Sequence, residues 1–172
     1  VFVPERHRRL DPEPARAIVA GLKSSAGRVP RIVGLFADQP LEEVNRTIET
    51  CGLDLAQLCG REPLDYCNQT RARVIKVLHI PDSLPPQAQT DELVARVKAY
   101  REAGNLVTLD RLVEGLQGGT GERFDWSIAA ELSRLGQSFL LAGGLSPENV
   151  AQAVATVRPW GVGPSSPWYA IS

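Results

Sequence analysis

The feature of this 172-residue chain that most restricts its fold is a regular alternation of short apolar runs with amphipathic stretches. Apolar runs rich in strand formers occupy Arg31–Ala37, Leu53–Leu58, Arg73–Ile80, Asn105–Leu109 and Ser138–Ala142. Val1–Val3 reads as the tail of a further strand and Gly161-Val162 as the start of another, which brings the count to seven or eight. Between them, helices are predicted over Pro12–Leu22, Leu41–Thr50, Pro63–Gln69, Ala88–Ala103, Phe124–Leu135 and Pro147–Val157. The punctuation agrees. Asp11 and Ser146 are N-cap candidates, each followed by a proline in the first turn, and Gly52, Gly104 and Gly136 follow helix ends. The strands are almost continuously apolar, as parallel strands covered by helices must be. Strand–helix–strand units with short connections imply right-handed crossovers, so the chain is α/β, either an open doubly wound sheet or a (β/α)₈ barrel. Nothing divides it into two, so a single domain over residues 1–172 is expected, with the proline-rich Pro81–Gln89 as a loop.

In either architecture ligands collect at the carboxyl ends of the strands. Asp110 follows the run Asn105–Leu109, a position suited to acid–base work as well as to a solvated loop. Next comes Gly118-Gly119-Thr120-Gly121, and one strand later Leu141-Ala142-Gly143-Gly144-Leu145-Ser146-Pro147-Glu148-Asn149-Val150. A glycine turn that opens a helix lets backbone N–H groups approach a phosphate. Neither turn is a Walker A loop or a dinucleotide fingerprint. Two such turns after successive late strands match the phosphate site of barrels and favour the barrel over the open sheet. Near the start, Arg6-His7-Arg8-Arg9 is a basic loop or a clamp for an anion.

Composition removes other classes. A net charge of -1 leaves no electrostatic footprint for nucleic acid, and the apolar runs are too short for a membrane span. Cys51, Cys59 and Cys67 stand eight residues apart, unlike zinc ligands, and only His7 and His79 accompany them, so no metal site is expected. A sparse, odd cysteine count fits a reducing, cytoplasmic setting.

The succession QLCGRE (Gln57–Glu62), VIKV (Val74–Val77), Leu109-Asp110, GGTGERFDW (Gly118–Trp126) and LAGGLSPENV (Leu141–Val150) resembles the phosphoribosylanthranilate isomerases of tryptophan biosynthesis, in order and spacing, from about Phe2 to Ser166. That resemblance implies a (β/α)₈ barrel. It also implies a cofactor-free Amadori rearrangement of N-(5-phosphoribosyl)anthranilate to the 1-deoxyribulose phosphate. The partner is then a small phosphorylated substrate, and the assembly a monomer or homodimer. A general acid opens the ribose ring, and a general base removes the C2 proton. By the same resemblance Asp110 is the acid, Arg8 holds the anthranilate carboxylate, Gln57 lines the pocket, and Gly119, Gly121, Gly143 and Gly144 cradle the phosphate. Cys59 stands where the family usually has a histidine and reads as a small pocket-edge residue.

Two departures qualify the match. The family's base is a cysteine in a Lys-Ile-Cys-Gly segment on the first strand, and none of the three cysteines has that context. The last strand reads Gly163-Pro164-Ser165-Ser166-Pro167-Trp168-Tyr169, with prolines that disfavour a central strand. The expectation is therefore an incomplete barrel, without the first strand and helix and the last helix. Loss of the base, about two to four orders of magnitude in rate, would leave this polypeptide poorly active. Two alternatives remain. One is a non-catalytic phosphate-binding remnant. The other is a sister phosphate-binding barrel such as indole-glycerol-phosphate synthase or the histidine-pathway isomerase, for which Lys76 is the lysine available on a strand.

Overall fold

The computed structural model describes residues 1–4, 6, 8–25, 27, 29–79, 86–110 and 126–163. It divides into two compact units, Val1–Val77 with Ala103–Leu106, and Leu78–Glu102 with Val107–Ser172. The boundary passes through β3 (Arg73–His79) and β4 (Leu106–Asp110), two strands of the chain's βα series.

The first unit contains α1 (Pro12–Ser24), β1 (Val33–Phe36), α2 (Leu41–Cys51), β2 (Leu55–Leu58), α3 (Leu64–Gln69) and most of β3. β1 pairs parallel with β2 and β2 with β3, so that Phe36, Leu58 and Lys76 stand in line on one face and Leu35, Gln57 and Ile75 on the other. α1 begins with Pro12 in its first turn after Asp11, whose carboxylate takes Arg9 rather than the helix N–H groups. α2 buries Val44, Ile48 and Cys51, the i, i+4, i+7 stripe of an amphipathic helix, and stops at Gly52 with φ +63°. A side chain at Gly52 would meet the left-handed conformation at a cost of about 1–2 kcal/mol.

The second unit holds α4 (Pro86–Glu102), most of β4, α5 (Ser127–Arg134), β5 (Leu140–Ala142), α6 (Val150–Val157) and β6 (Gly161–Val162). β4 pairs parallel with β5 and β5 with β6. Its core joins Leu78, Leu93, Val97, Val107, Leu109, Ala129, Leu132, Phe139, Leu141 and Val157, which are almost fully buried between strands and helices. Parallel strands with a helix between consecutive strands are the expected α/β pattern.

Several expected boundaries move. Val1–Val3 forms no strand; Phe2 donates one backbone bond to Leu35 and Leu10 donates one to Val1, too few to make a ladder. The described residues therefore hold six strands rather than seven or eight. Asp110 is the last residue of β4 rather than the first after it. Helix α6 starts at Val150, not Pro147, and Asn149 rather than Ser146 is its N-cap. His7, Gly118 to Asp125 and Pro164 to Ser172 lie outside the described residues, and with them Gly119 and Gly121.

Candidate active site

In the second unit, strand alternation fixes the side-chain directions at the carboxyl end of β4. Leu109 is fully buried in the core, so Asp110 points to the opposite face, where it is half-buried. Burial pushes its carboxyl above the ordinary range for an aspartate, opposed by the charge of His79 at the end of β3. A carboxyl shifted upward holds its proton to higher pH than an ordinary aspartate, which suits a proton donor.

The ladder sets what stands beside it. Asp110 is in register with Ala142, and Gly143-Gly144 follow at once. Both glycines have positive φ, +84° and +62°, so the chain turns sharply away from β5 there. Asn149 then ties the turn together: its Oδ1 accepts the Ser146 N–H at 2.8 Å, and its Nδ2 donates to the Gly144 carbonyl at 2.9 Å. The Ser146 N–H is spent in that bond, so an anion at this turn must be met by the glycine N–H groups before it. Glu148, fully exposed on the same turn, is held below the usual carboxylate range first by a hydrogen bond from the Ser146 hydroxyl.

In the first unit, Arg8 is exposed in the segment that leads from Phe2 to α1. That segment is anchored by the stacked rings of Phe2 and Phe36, centroids 5.2 Å apart, and by the bond from Gln39 Nε2 to the Phe2 carbonyl at 3.1 Å. Gln57 is half-buried on β2, on the face opposite Leu58, and its Nε2 lies 3.6 Å from Cys59 Sγ. Cys59 is half-buried, which fits a pocket-edge side chain. Cys51 and Cys67 are buried in helices, and burial raises both thiols above their ordinary values.

One prominent arrangement was invisible in the sequence. Lys76 and Glu62 form an ion pair of 2.6 Å with both side chains 2% exposed. Lys76 Nζ also donates to the carbonyls of Gly60 (2.7 Å) and Leu58 (3.4 Å), while Glu62 Oε1 accepts from the N–H of Asp38 (2.9 Å) and Gly60 (3.3 Å). The pair clamps the turns that leave β1 and β2. An ammonium so engaged, on the same face as Phe36 and Leu58, is structural, which removes the lysine on which the indole-glycerol-phosphate synthase alternative leaned.

Comparison with known proteins decides the family. The family model for N-(5'-phosphoribosyl)anthranilate (PRA) isomerase matches residues 8–167. The chain belongs to the phosphoribosylanthranilate isomerase family.

The N-(5'-phosphoribosyl)anthranilate isomerase of Geobacter sp. (strain M21) is 42% identical over 168 residues, which are 96% of this chain and 74% of the relative. That of Dehalococcoides mccartyi is 39% identical over 162 residues, 94% of this chain and 73% of the relative. The solved phosphoribosyl anthranilate isomerase of Thermotoga maritima superposes with a TM-score of 0.77 at 28% identity, over 99% of this chain and 77% of that one. A phosphoribosyl anthranilate isomerase solved with reduced 1-(o-carboxyphenylamino)-1-deoxyribulose 5-phosphate gives 0.73 at 26% identity, over 99% and 75%. The fold is thus the isomerase (β/α)₈ barrel in incomplete form, and the open doubly wound sheet is set aside. The family's reaction is the Amadori rearrangement in tryptophan biosynthesis. Among the described residues no helix is long and apolar enough to cross a membrane.

Of the residues the sequence nominated, Asp110, Gly143 and Gly144 are brought together by the β4–β5 ladder. Arg8 and Gln57 belong to the other unit. Sequence reasoning missed His79 as a neighbour of Asp110, although both end consecutive strands, and it missed Asn149, which stood in plain view three residues after a predicted cap.

Proposed function

We propose that this chain binds N-(5-phosphoribosyl)anthranilate and opens its ribose ring with Asp110 as the general acid. The observation that carries the reading is a half-buried carboxyl at a strand end, raised above its ordinary value by burial, one ladder step from a positive-φ glycine turn. Asp110 gives its proton to the ring oxygen as the C1–O bond breaks, and the anthranilate nitrogen lone pair forms the Schiff base. Removal of the C2 proton by a general base then gives an enolamine, which becomes the ketone by taking a proton at C1; none of Cys51, Cys59 and Cys67 has the context of the family's base. The N–H groups of Gly143 and Gly144, with those of Gly119 and Gly121, hold the phosphate. The forked guanidinium of Arg8 suits the anthranilate carboxylate, and Gln57 offers an amide to the sugar or ring. No cofactor takes part. The three free thiols fit a cytoplasmic setting, and the working form is a monomer or homodimer.

The test uses the 172-residue chain and reduced 1-(o-carboxyphenylamino)-1-deoxyribulose 5-phosphate, the compound held by a solved relative. Calorimetry is expected to show binding that weakens at least about tenfold in Arg8→Ala, and that survives in Asp110→Asn because the acid is needed for chemistry rather than for holding a product analogue. Substrate turnover is expected to fall about 10²- to 10⁴-fold in Asp110→Asn. Undiminished turnover in that variant refutes the acid. Binding of the analogue with no turnover in the parent chain identifies a non-catalytic phosphate-binding form.

A further inference from the structure

The acid half of the site contains a second ionisable side chain that the reaction as described leaves without a task. His79 is the last residue of β3, as Asp110 is the last of β4. Their predecessors Leu78 and Leu109 are fully buried in one core cluster, so alternation turns His79 and Asp110 alike to the other face of their strands. Both are half-buried there. On the far flank β5 sets Leu140 and Ala142 opposite Thr108 and Asp110, and neither can ionise. On the covering helices Arg96 pairs with Glu92, Lys98 with Glu102 and Arg134 with Glu131, and Asp91 and Arg101 are the other charged residues there. Among the described residues, His79 is the charged group that bears on the Asp110 carboxyl, and it works against the effect of burial.

This matters because burial alone makes a poor donor. It favours the protonated form of Asp110, but it also penalises the carboxylate left behind once the proton has gone. A cation beside the carboxyl lowers that penalty at the moment the ring opens.

We propose that His79 is a positioning residue for the acid step, its charge stabilising the carboxylate that Asp110 becomes when it hands its proton to the ring oxygen. The proposal rests on the reading of Asp110 as the acid. The proton moves from Asp110 to the ring oxygen, and none is transferred from His79.

The test is a ¹³C NMR titration of the Asp110 carboxyl in the 172-residue chain, the resonance assigned by its absence from Asp110→Asn. In His79→Gln the midpoint is expected to rise by about one pH unit, a tenfold change in the equilibrium, because an opposite charge nearby favours the ionised form. His79→Lys, which keeps a cation, is expected to leave the midpoint close to that of the parent, and it serves as the comparison if the glutamine variant does not fold. A midpoint unmoved in His79→Gln, or raised equally in His79→Lys, overturns the proposal. In the turnover assay His79→Gln is expected to lower kcat with KM little changed, a split that a purely structural role would not give. If instead Asp110→Asn keeps full turnover while the midpoint still responds to His79, the coupling stands and the acid reading fails, so the two are separable.

Discussion

Replacing Lys76 by methionine isolates the worth of the buried clamp, because the two side chains are close in length and the change removes charge and donors while opening little space. In the parent chain the ammonium, on a side chain 2% exposed, meets Glu62 at 2.6 Å, Gly60 O at 2.7 Å and Leu58 O at 3.4 Å. The variant takes the ammonium away from Glu62, which is 2% exposed and also accepts from the N–H groups of Asp38 and Gly60. Breaking a buried pair in this way costs about 3–5 kcal/mol. For a domain with total stability of about 5–15 kcal/mol that is a large share. Lys98→Met is the control: its partner Glu102 lies 3.8 Å away at the surface, and the expected loss is below about 1 kcal/mol. Adding Glu62→Leu to Lys76→Met removes the stranded charge but strands the N–H groups of Asp38 and Gly60 instead, each at about 1–3 kcal/mol. Only part of the loss is therefore recovered. Guanidinium unfolding of the three variants measures all of this. A loss in Lys76→Met no larger than in Lys98→Met would show that the clamp contributes no more than a surface pair, and the argument from burial would fail.

Three further outcomes are expected. Asp110→Asn raises stability at neutral pH: burial lifts the folded-state carboxyl above its unfolded value, so the stability that this group contributes is complete below the unfolded value and is lost as the pH rises through the folded one. Unfolding curves at acid and neutral pH check the sign, and an asparagine variant that is less stable at neutral pH contradicts it. Asn149→Ala removes both bonds that close the glycine turn, and is expected to weaken binding of the reduced product analogue about tenfold while leaving kcat nearly unchanged; a fall in kcat with unchanged binding would reverse that assignment. Cys51 and Cys67, both buried with thiols raised by burial, are expected to alkylate slowly in the native chain and readily in denaturant, followed by mass spectrometry of the peptides.

The sequence was most legible where local chemistry and tertiary packing agree. The run Arg73–Ile80 became β3 almost unchanged, because five consecutive buried residues leave no choice of face to misjudge. Pro12 set the start of α1 as its ring dictates. At α6 the local rules misled. Ser146 and Pro147 carry the signature of a helix start, but the Asn149 side chain bonds back to Ser146 and Gly144 and holds these residues in a turn until Val150. The site was half legible for a similar reason. Asp110 and Gly143-Gly144 announce themselves by residue type at strand ends. The partnership of Lys76 with Glu62 depends on two chain segments fourteen residues apart meeting in the core, and a lysine inside an apolar run shows nothing of it. His79 was hidden by its isolation in the sequence, since only the adjacency of strand ends gives it a neighbour.

The pairing of Asp110 with Ala142 has a consequence for what the site can measure. Adjacent strands lie about 4.8 Å apart, and that spacing is held by backbone hydrogen bonds rather than by side-chain rotamers. The interval from the Asp110 carboxyl on β4 to the glycine turn at the end of β5 is therefore a ruler graduated in the main chain. It can be re-graduated only by a register slip, and a slip of one residue would turn Asp110 into the core and Leu109 outward. On the proposed reading, substitutions among the surrounding side chains can change how tightly a sugar phosphate is held, but the length it must have is written into the ladder.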